Sequence, residues 1–283
     1  MSTLGLETTG GRYAPAHTHG TFEGYRDVPV AQQPFSNDPA PYSTIRNFVS
    51  HVATLRPSPI REAYIHPGSN VLEIGPGTGN YTTELLDAGH TMVAADISTR
   101  QLKDLRATVA RRGTPGDNLT TMTADVVDLP LADASVDAVV CFGGPVSYVF
   151  DAAPTAIAEM LRVTRPGGHI LLSVMTPGWI ELWAPKVIHS VGEAALEEMR
   201  NSGDVYHPSF VGEGGHLFRT YTPEKLRDLL ERHECTVVDM MASYVSDVSD
   251  LVPVDQYAKL CHEPDAMVST GGYLIAVARK PSE

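Results

Sequence analysis

From Val71 to Met175, short runs rich in apolar and β-branched residues alternate with segments whose apolar residues recur every three or four positions. The runs are VLEI, TMVAAD, LTTMTAD, VDAVVCF and HILLSVM; the segments between them include YTTELLDAG, Ser98 to Arg111, and Pro154 to Val163. A strand pattern repeats every second residue and a helix pattern every 3.6, so neither can take the other's place without turning its apolar side to water. Strands separated by helices pair in parallel as βαβ units, with helices covering the sheet. The fold class expected is α/β, a Rossmann-like and mostly parallel sheet with flanking helices.

The last third extends the pattern. TPEKLRDLLERH reads as a helix with Thr222 as N-cap, Pro223 at the first helical position and Glu224 adding first-turn negative charge. Two more strands follow, CTVVDMMA (Cys235 to Ala242) and YLIAVARK (Tyr273 to Lys280), bringing the strand-like runs to seven. The roughly 30 residues between them are too many for a hairpin loop and read as an insertion or a partner surface. Upstream, the first forty residues show no sustained period, whereas Ile45, Phe48, Val49, Val52 and Leu55 mark an amphipathic helix that Pro57 stops. Pro177 to Arg219 reads as a less regular stretch.

Between the first strand and the first helix lies VLEIGPGTGN, with Gly75, Gly77 and Gly79 in G-x-G-x-G spacing. Glycine there lets the chain turn tightly and lets a ligand approach the backbone. The spacing is one residue shorter than the dinucleotide fingerprint, and Glu73 precedes it. That carboxylate would repel a pyrophosphate and attract an ammonium or sulfonium centre. Asp96 closes TMVAAD about 20 residues on, where an acid can accept the hydroxyls of a ribose. Asp125, followed by Val126, closes LTTMTAD.

In combination these motifs resemble the class I S-adenosylmethionine-dependent methyltransferases, over roughly Ile65 to Arg279 and most strongly from Val71 to Phe142. RVTRPGGHILLSV, Arg162 to Val174, is similar to the family's R-x-L-x-P-G-G turn, with Val163 in place of the usual Leu. The resemblance implies a seven-stranded sheet with one antiparallel edge strand, and S-adenosylmethionine as cofactor with S-adenosylhomocysteine as product. It assigns Glu73, Gly75, Gly77 and Gly79 to the methionine part, Asp96 to the ribose, and Asp125 with Val126 to adenine. Pro76, Ile97 and Phe142 complete the expected cofactor set. The expected division is 1–66 as N-terminal arm and lid helix, 67–176 as cofactor-binding core, 177–221 as substrate cover, and 222–283 as completion of the sheet with an insertion at 243–272.

The acceptor side is less determined. CFGGPVSYVFD follows the fourth strand; it lacks the N-P-P-Y-like signature of nucleobase and glutamine methyltransferases, and Gly143, Gly144 and Pro145 offer no ligand for a magnesium ion. A metal-independent enzyme is expected. Gly143, Ser147 and Tyr148 are placed in the acceptor pocket, with Tyr25, Tyr42, Trp179, Trp183, His207 and His216 from the arm and cover. His207, His216 and Tyr148 are the candidate catalytic groups, a base being useful chiefly for a hydroxyl acceptor. The formal charge of -13, from 34 acids against 21 bases, argues against nucleic acid or an anionic membrane as partner. The three cysteines, Cys141, Cys235 and Cys261, are in no C-x-x-C spacing, and no apolar leader follows Met1, so a cytoplasmic location is expected.

These readings converge on methyl transfer to a small organic acceptor, a secondary-metabolite-like amine ahead of a hydroxyl. Carbon methylation, a peptide N-terminal amine as acceptor, and a non-enzymatic adenosylmethionine-binding role stay open. A nucleotide-dependent dehydrogenase is disfavoured by Glu73 and the short glycine spacing. Val245 to Gly272 is a candidate surface for a homodimer or higher oligomer.

Overall fold

Residues 6–9, 12–15, 63–114, 116–205, 218–243 and 272–282 are described by the computed structural model of this chain. Strands β1 (Leu6–Thr9) and β2 (Arg12–Pro15) form a small antiparallel ribbon of their own. The helix expected around Ile45 to Leu55 and most of the insertion at 243–272 lie outside the described residues.

The principal sheet is built from β3 (Asn70–Ile74), β4 (Thr91–Asp96), β5 (Leu119–Thr123), β6 (Val136–Cys141), β7 (Thr164–Met175), β10 (Thr236–Ser243) and β11 (Tyr273–Arg279). Its order is β10-β11-β7-β6-β3-β4-β5. The pairings among β3, β4, β5, β6 and β7 are parallel, and β11 runs antiparallel to both β7 and β10. Seven strands, mostly parallel, agree with the sequence expectation. The antiparallel strand, however, lies one place inside the edge rather than at it. Every residue of YLIAVA is buried, as suits a strand with neighbours on both sides, whereas β10 begins TVVD with alternating exposed positions, as suits an edge.

The connecting helices are α1 (Asn80–Asp87), α2 (Thr99–Arg112), the short α3 (Pro145–Tyr148) and α4 (Ala153–Val163), followed later by α7 (Pro223–Glu231). Local chemistry sets their ends. Ser98 caps α2 by accepting from the Gln101 amide at 3.3 Å, and Gly113 in the left-handed conformation closes it. Thr222 caps α7 by accepting from the Lys225 amide, also at 3.3 Å, with Pro223 in the first turn.

Two apolar clusters cover opposite faces of the sheet. Leu72, Val139 and Leu172 belong to one, packed with Ile157 and Met160 of α4 and Leu226 and Leu230 of α7. Val71, Val140 and Leu171 belong to the other, with Leu85 and Leu86 of α1 and Leu102, Leu105 and Val109 of α2. Adjacent residues in β3, β6 and β7 thus bury both faces, which is why these strands read as unbroken apolar runs.

The stretch beginning at Pro177 is more regular than its sequence suggests. It forms α5 (Gly178–Val191) and α6 (Glu193–Ser202), then a ribbon of β8 (Asp204–Val205) and β9 (Phe218–Arg219). Pro185 inside α5 and Gly192 at its end interrupt the pattern by which a helix is recognised. Ile180 and Val187 nevertheless share one apolar cluster with Leu196, Met199, Val205, Phe218 and Tyr273. That cluster seats both helices against the end of the sheet.

Candidate functional site

The parallel strands point their carboxyl ends to one rim of the sheet, the place where open α/β sheets bind ligands. There β3 ends in Glu73-Ile74 and turns through Gly75 to Gly79 into α1. The Gly75 amide donates to Ala95 O of β4 at 2.9 Å, and the Gly79 amide closes the turn onto Pro76 O at 2.9 Å. All three glycines have positive φ, but for different reasons. A Cβ on Gly75 would stand 2.8 Å from Pro145 Cγ, and one on Gly79 would stand 2.2 Å from Leu105 Cδ1. A Cβ on Gly77 would meet nothing within 4 Å. The outer glycines therefore serve packing, and the middle one borders open space.

Glu73 is 2% exposed and accepts from Thr82 Oγ1 of α1 at 2.5 Å. Burial pushes its carboxyl up to about 7; the Thr82 hydrogen bond works against that, while the charges of Asp96 and Glu84 add to it. Asp96, at the end of β4, is also buried, and burial raises it to about 6 against the backbone amides of Ser98 and Gly77. Its Oδ1 accepts from Ser98 N at 2.8 Å. Two carboxylates of one sign thus share a buried rim, and the Gly77 amide contacts the second. Such an arrangement favours a cationic occupant.

The other expected cofactor residues are brought to the same rim. Ile97 follows Asp96 between β4 and the Ser98 cap. Asp125 is half-buried and accepts from the Val127 amide at 3.2 Å, while Val126 is buried in the core beside it. Phe142, just past β6, meets the ring of Tyr81 at 5.1 Å between centroids. Burial and the charges of Glu73 and Glu84 push the Tyr81 phenol up, so it stays protonated and can donate a hydrogen bond.

Around the end of β6 the placements are mixed. Gly143 is exposed, with open space where a Cβ would stand, and its amide donates to Ser173 Oγ at 2.9 Å. Ser147 is wholly buried, and its Oγ accepts from the Met175 amide at 2.9 Å, which commits it to the end of β7. Tyr148 is half-buried and packs on the cluster formed by α5 and α6. Trp179 is buried in that cluster, its ring edge-on to Tyr273 at 6.0 Å. Trp183 lies on α5, but its side chain is outside what is described, and Tyr25, Tyr42, His207 and His216 lie outside the described residues altogether. Thr82, Tyr81, Ser173 and Tyr273 carried no signal in the sequence, because each reaches the rim from a distant element or from the buried side of α1. Among the described residues no group of three or more His, Cys, Asp or Glu could hold a metal ion, and no described helix is long and apolar enough to cross a membrane.

Residues 71–168 match the family described as methyltransferase domain. A malonyl-[acyl-carrier protein] O-methyltransferase of Pectobacterium atrosepticum is 34% identical over 113 residues, 40% of this chain and 41% of that protein. The chain thus spans about two fifths of the length of curated relatives it matches. Among solved structures, an S-adenosylmethionine-dependent methyltransferase from Methanosarcina mazei superposes with a TM-score of 0.59 at 18% identity, covering 80% of this chain and 98% of that one. A 1,6-didemethyltoxoflavin-N1-methyltransferase of Burkholderia thailandensis gives 0.56 at 20% identity, covering 95% and 92%. The sheet with its one antiparallel strand and the acid-led glycine turn between β3 and α1 form the Rossmann-like methyltransferase fold of these solved neighbours, and residues 71–168 match the methyltransferase domain family.

Proposed function

We propose that this protein transfers a methyl group from S-adenosylmethionine to a small organic acceptor, an amine ahead of a hydroxyl. The observation that carries the donor half is Glu73: a carboxyl buried at the end of β3, acted on by two further charges of its own sign, Asp96 and Glu84. A bound ammonium or sulfonium would relieve that repulsion, and a diphosphate would worsen it.

The residues present fit such a donor. The open space at Gly77 admits a ligand to the backbone, Glu73 supplies negative charge for the amino-acid end, Asp96 has acceptor capacity for ribose hydroxyls, and Asp125 with Val126 offers a polar and an apolar edge for adenine. When bound, S-adenosylmethionine supplies a methyl group on a sulfonium that is already a good leaving group. The protein's own task is then to align the acceptor lone pair and exclude water. Gly143, with nothing over its α-carbon, lets an acceptor come close to the backbone, and Phe142 provides an apolar wall beside it. The side chains that border that turn, Phe142, Ser173, Met175 and Tyr273, are uncharged, which favours a neutral amine or phenol over an anionic acceptor. Segment 177–221 is the substrate cover in this reading, and His207 and His216 within it are the base candidates for a hydroxyl acceptor.

Calorimetry with S-adenosylhomocysteine and NAD tests the donor assignment, and transfer of labelled methyl to a panel of amines and phenols tests the rest. Binding of the first nucleoside alone, with transfer to an amine, is the expected result. Binding without transfer to any member of the panel favours a partner protein that only holds the nucleoside; capture of NAD instead overturns the proposal.

A further inference from the structure

The connection from β5 to β6 carries Asp125 and Val126, yet it has few ladder hydrogen bonds to hold it. At its start the Ala124 amide reaches Asp96 O of β4 at 3.1 Å; beyond that its backbone makes short-range contacts, the Asp128 amide to Asp125 O at 3.1 Å and the Leu131 amide to Leu129 O at 2.7 Å. Its middle, from Leu129 to Asp133, is held by one turn of α4, through Glu159 and Arg162. Glu159 Oε2 accepts from the Leu129 amide at 2.9 Å. Arg162 donates through Nη2 to Leu129 O at 2.8 Å, and through Nη1 to Leu131 O and to Asp133 Oδ1, each at 2.7 Å. The two side chains also pair with each other, Arg162 Nε to Glu159 Oε1 at 2.7 Å and Nη2 to Glu159 Oε2 at 2.8 Å. Backbone bonds from Ala134 and Ser135 to the carbonyls of Arg162 and Val163 fix the far end.

Both backbone groups of Leu129 are thus held by side chains of a single helix turn, four residues beyond Asp125. Leu129 itself is 2% exposed, so the fixed backbone is anchored from below by packing as well. A guanidinium is suited to this because its planar fork serves two carbonyls and two carboxylates at once. A partly exposed ion pair alone contributes little to stability. What the pair adds here is the position of a loop.

We infer that Arg162, oriented by Glu159, is a positioning residue for the nucleoside end of the ligand site, holding the 124–135 loop so that Asp125 and Val126 face the rim. This rests on the reading that Asp125 and Val126 meet the adenine of the donor.

The test pairs two measurements on the full chain. Hydrogen exchange of the 125–131 amides is compared between wild type and Arg162→Lys, which keeps the charge and loses the fork. Calorimetry then follows adenosine and S-adenosylhomocysteine on wild type, Arg162→Lys and Glu159→Gln. We expect faster exchange in Arg162→Lys, with affinity for both nucleosides falling together by about tenfold, as loss of charge-assisted hydrogen bonds implies. Glu159→Gln, which still accepts from the Leu129 amide, should fall less. A lowered melting temperature with unchanged exchange at 125–131 and unchanged adenosine affinity would overturn the inference and leave only a stabilising pair. Wild-type protein that binds neither nucleoside overturns the donor-site reading itself, and the exchange arm then decides the clamp separately.

Discussion

Two glycine turns meet at the rim of the sheet, one after β3 and one after β6, and they are built for opposite tasks. The first is flanked by buried acids, Glu73 and Asp96, whose carboxyls burial pushes up to about 7 and about 6. The second is flanked by Phe142, Ser147 and Tyr148, with Tyr273 standing 3.4 Å from where a Cβ on Gly144 would be. Each has one glycine that borders open space, Gly77 and Gly143, and the turns touch each other where Gly75 meets Pro145. Charge gathered on one side and withheld from the other is what a cationic donor and an uncharged acceptor require.

The two packing glycines of the first turn carry the largest expected effects. Gly79→Ala forces a left-handed backbone onto a residue with a Cβ and drives that carbon into Leu105, so we expect a loss of about 3 kcal/mol of stability by urea denaturation. Gly75→Ala should cost nearly as much, because Pro145 has no flexible end to yield, and it should displace the second turn as well.

Titration of the acids separates the turns next. In the folded protein Glu73 holds a proton that the unfolded chain has lost between the ordinary carboxyl value and about 7. Its contribution to stability is therefore fully present below the ordinary value, declines as pH rises, and is gone above about 7. Wild type should lose stability relative to Glu73→Gln across that window, by an amount on the order of 2 kcal/mol, in melts at stepped pH. A bound cation should reduce the loss.

Gly77→Ala sharpens the distinction between packing and binding glycines. With open space around the new methyl, it should cost only about 1 kcal/mol from backbone strain. It should still weaken S-adenosylhomocysteine, by about tenfold where the methyl occupies the ligand's approach. Ser147→Ala is expected to have the smallest effect: the Met175 amide loses its acceptor at a cost of about 1 kcal/mol, and donor affinity stays unchanged.

The two turns also differ in how far they could be read from sequence. Glu73, the three glycines and Asp96 are local to strand ends, so their spacing together with the charge of Glu73 suggests a turn for a cationic ligand. The partners that complete the rim are not local. Pro145 fits against Gly75, Ser173 accepts from Gly143, and Tyr273 arrives from β11, a strand whose unbroken burial places it inside the sheet rather than at its edge. Between Pro177 and Arg219 the helical period was present in Ile180, Val187, Leu196 and Met199, but Pro185 and Gly192 broke its rhythm. Arg162 was visible only as part of the turn before β7; that its guanidinium reaches back to Leu129 and Leu131 depends on how α4 lies against the loop.

In the proposed function the turn after β3 holds a positively charged nucleoside through the Glu73 carboxylate. Calorimetric titration of S-adenosylmethionine into wild type and Glu73→Gln, above and below the value of about 7 given to Glu73, tests it directly. Wild-type affinity should be higher above that pH and fall as the carboxyl protonates, and Glu73→Gln should bind about tenfold more weakly at the higher pH, with a shallower pH dependence. Equal affinities for the two proteins at both pH values would mean that Glu73 does not hold the donor.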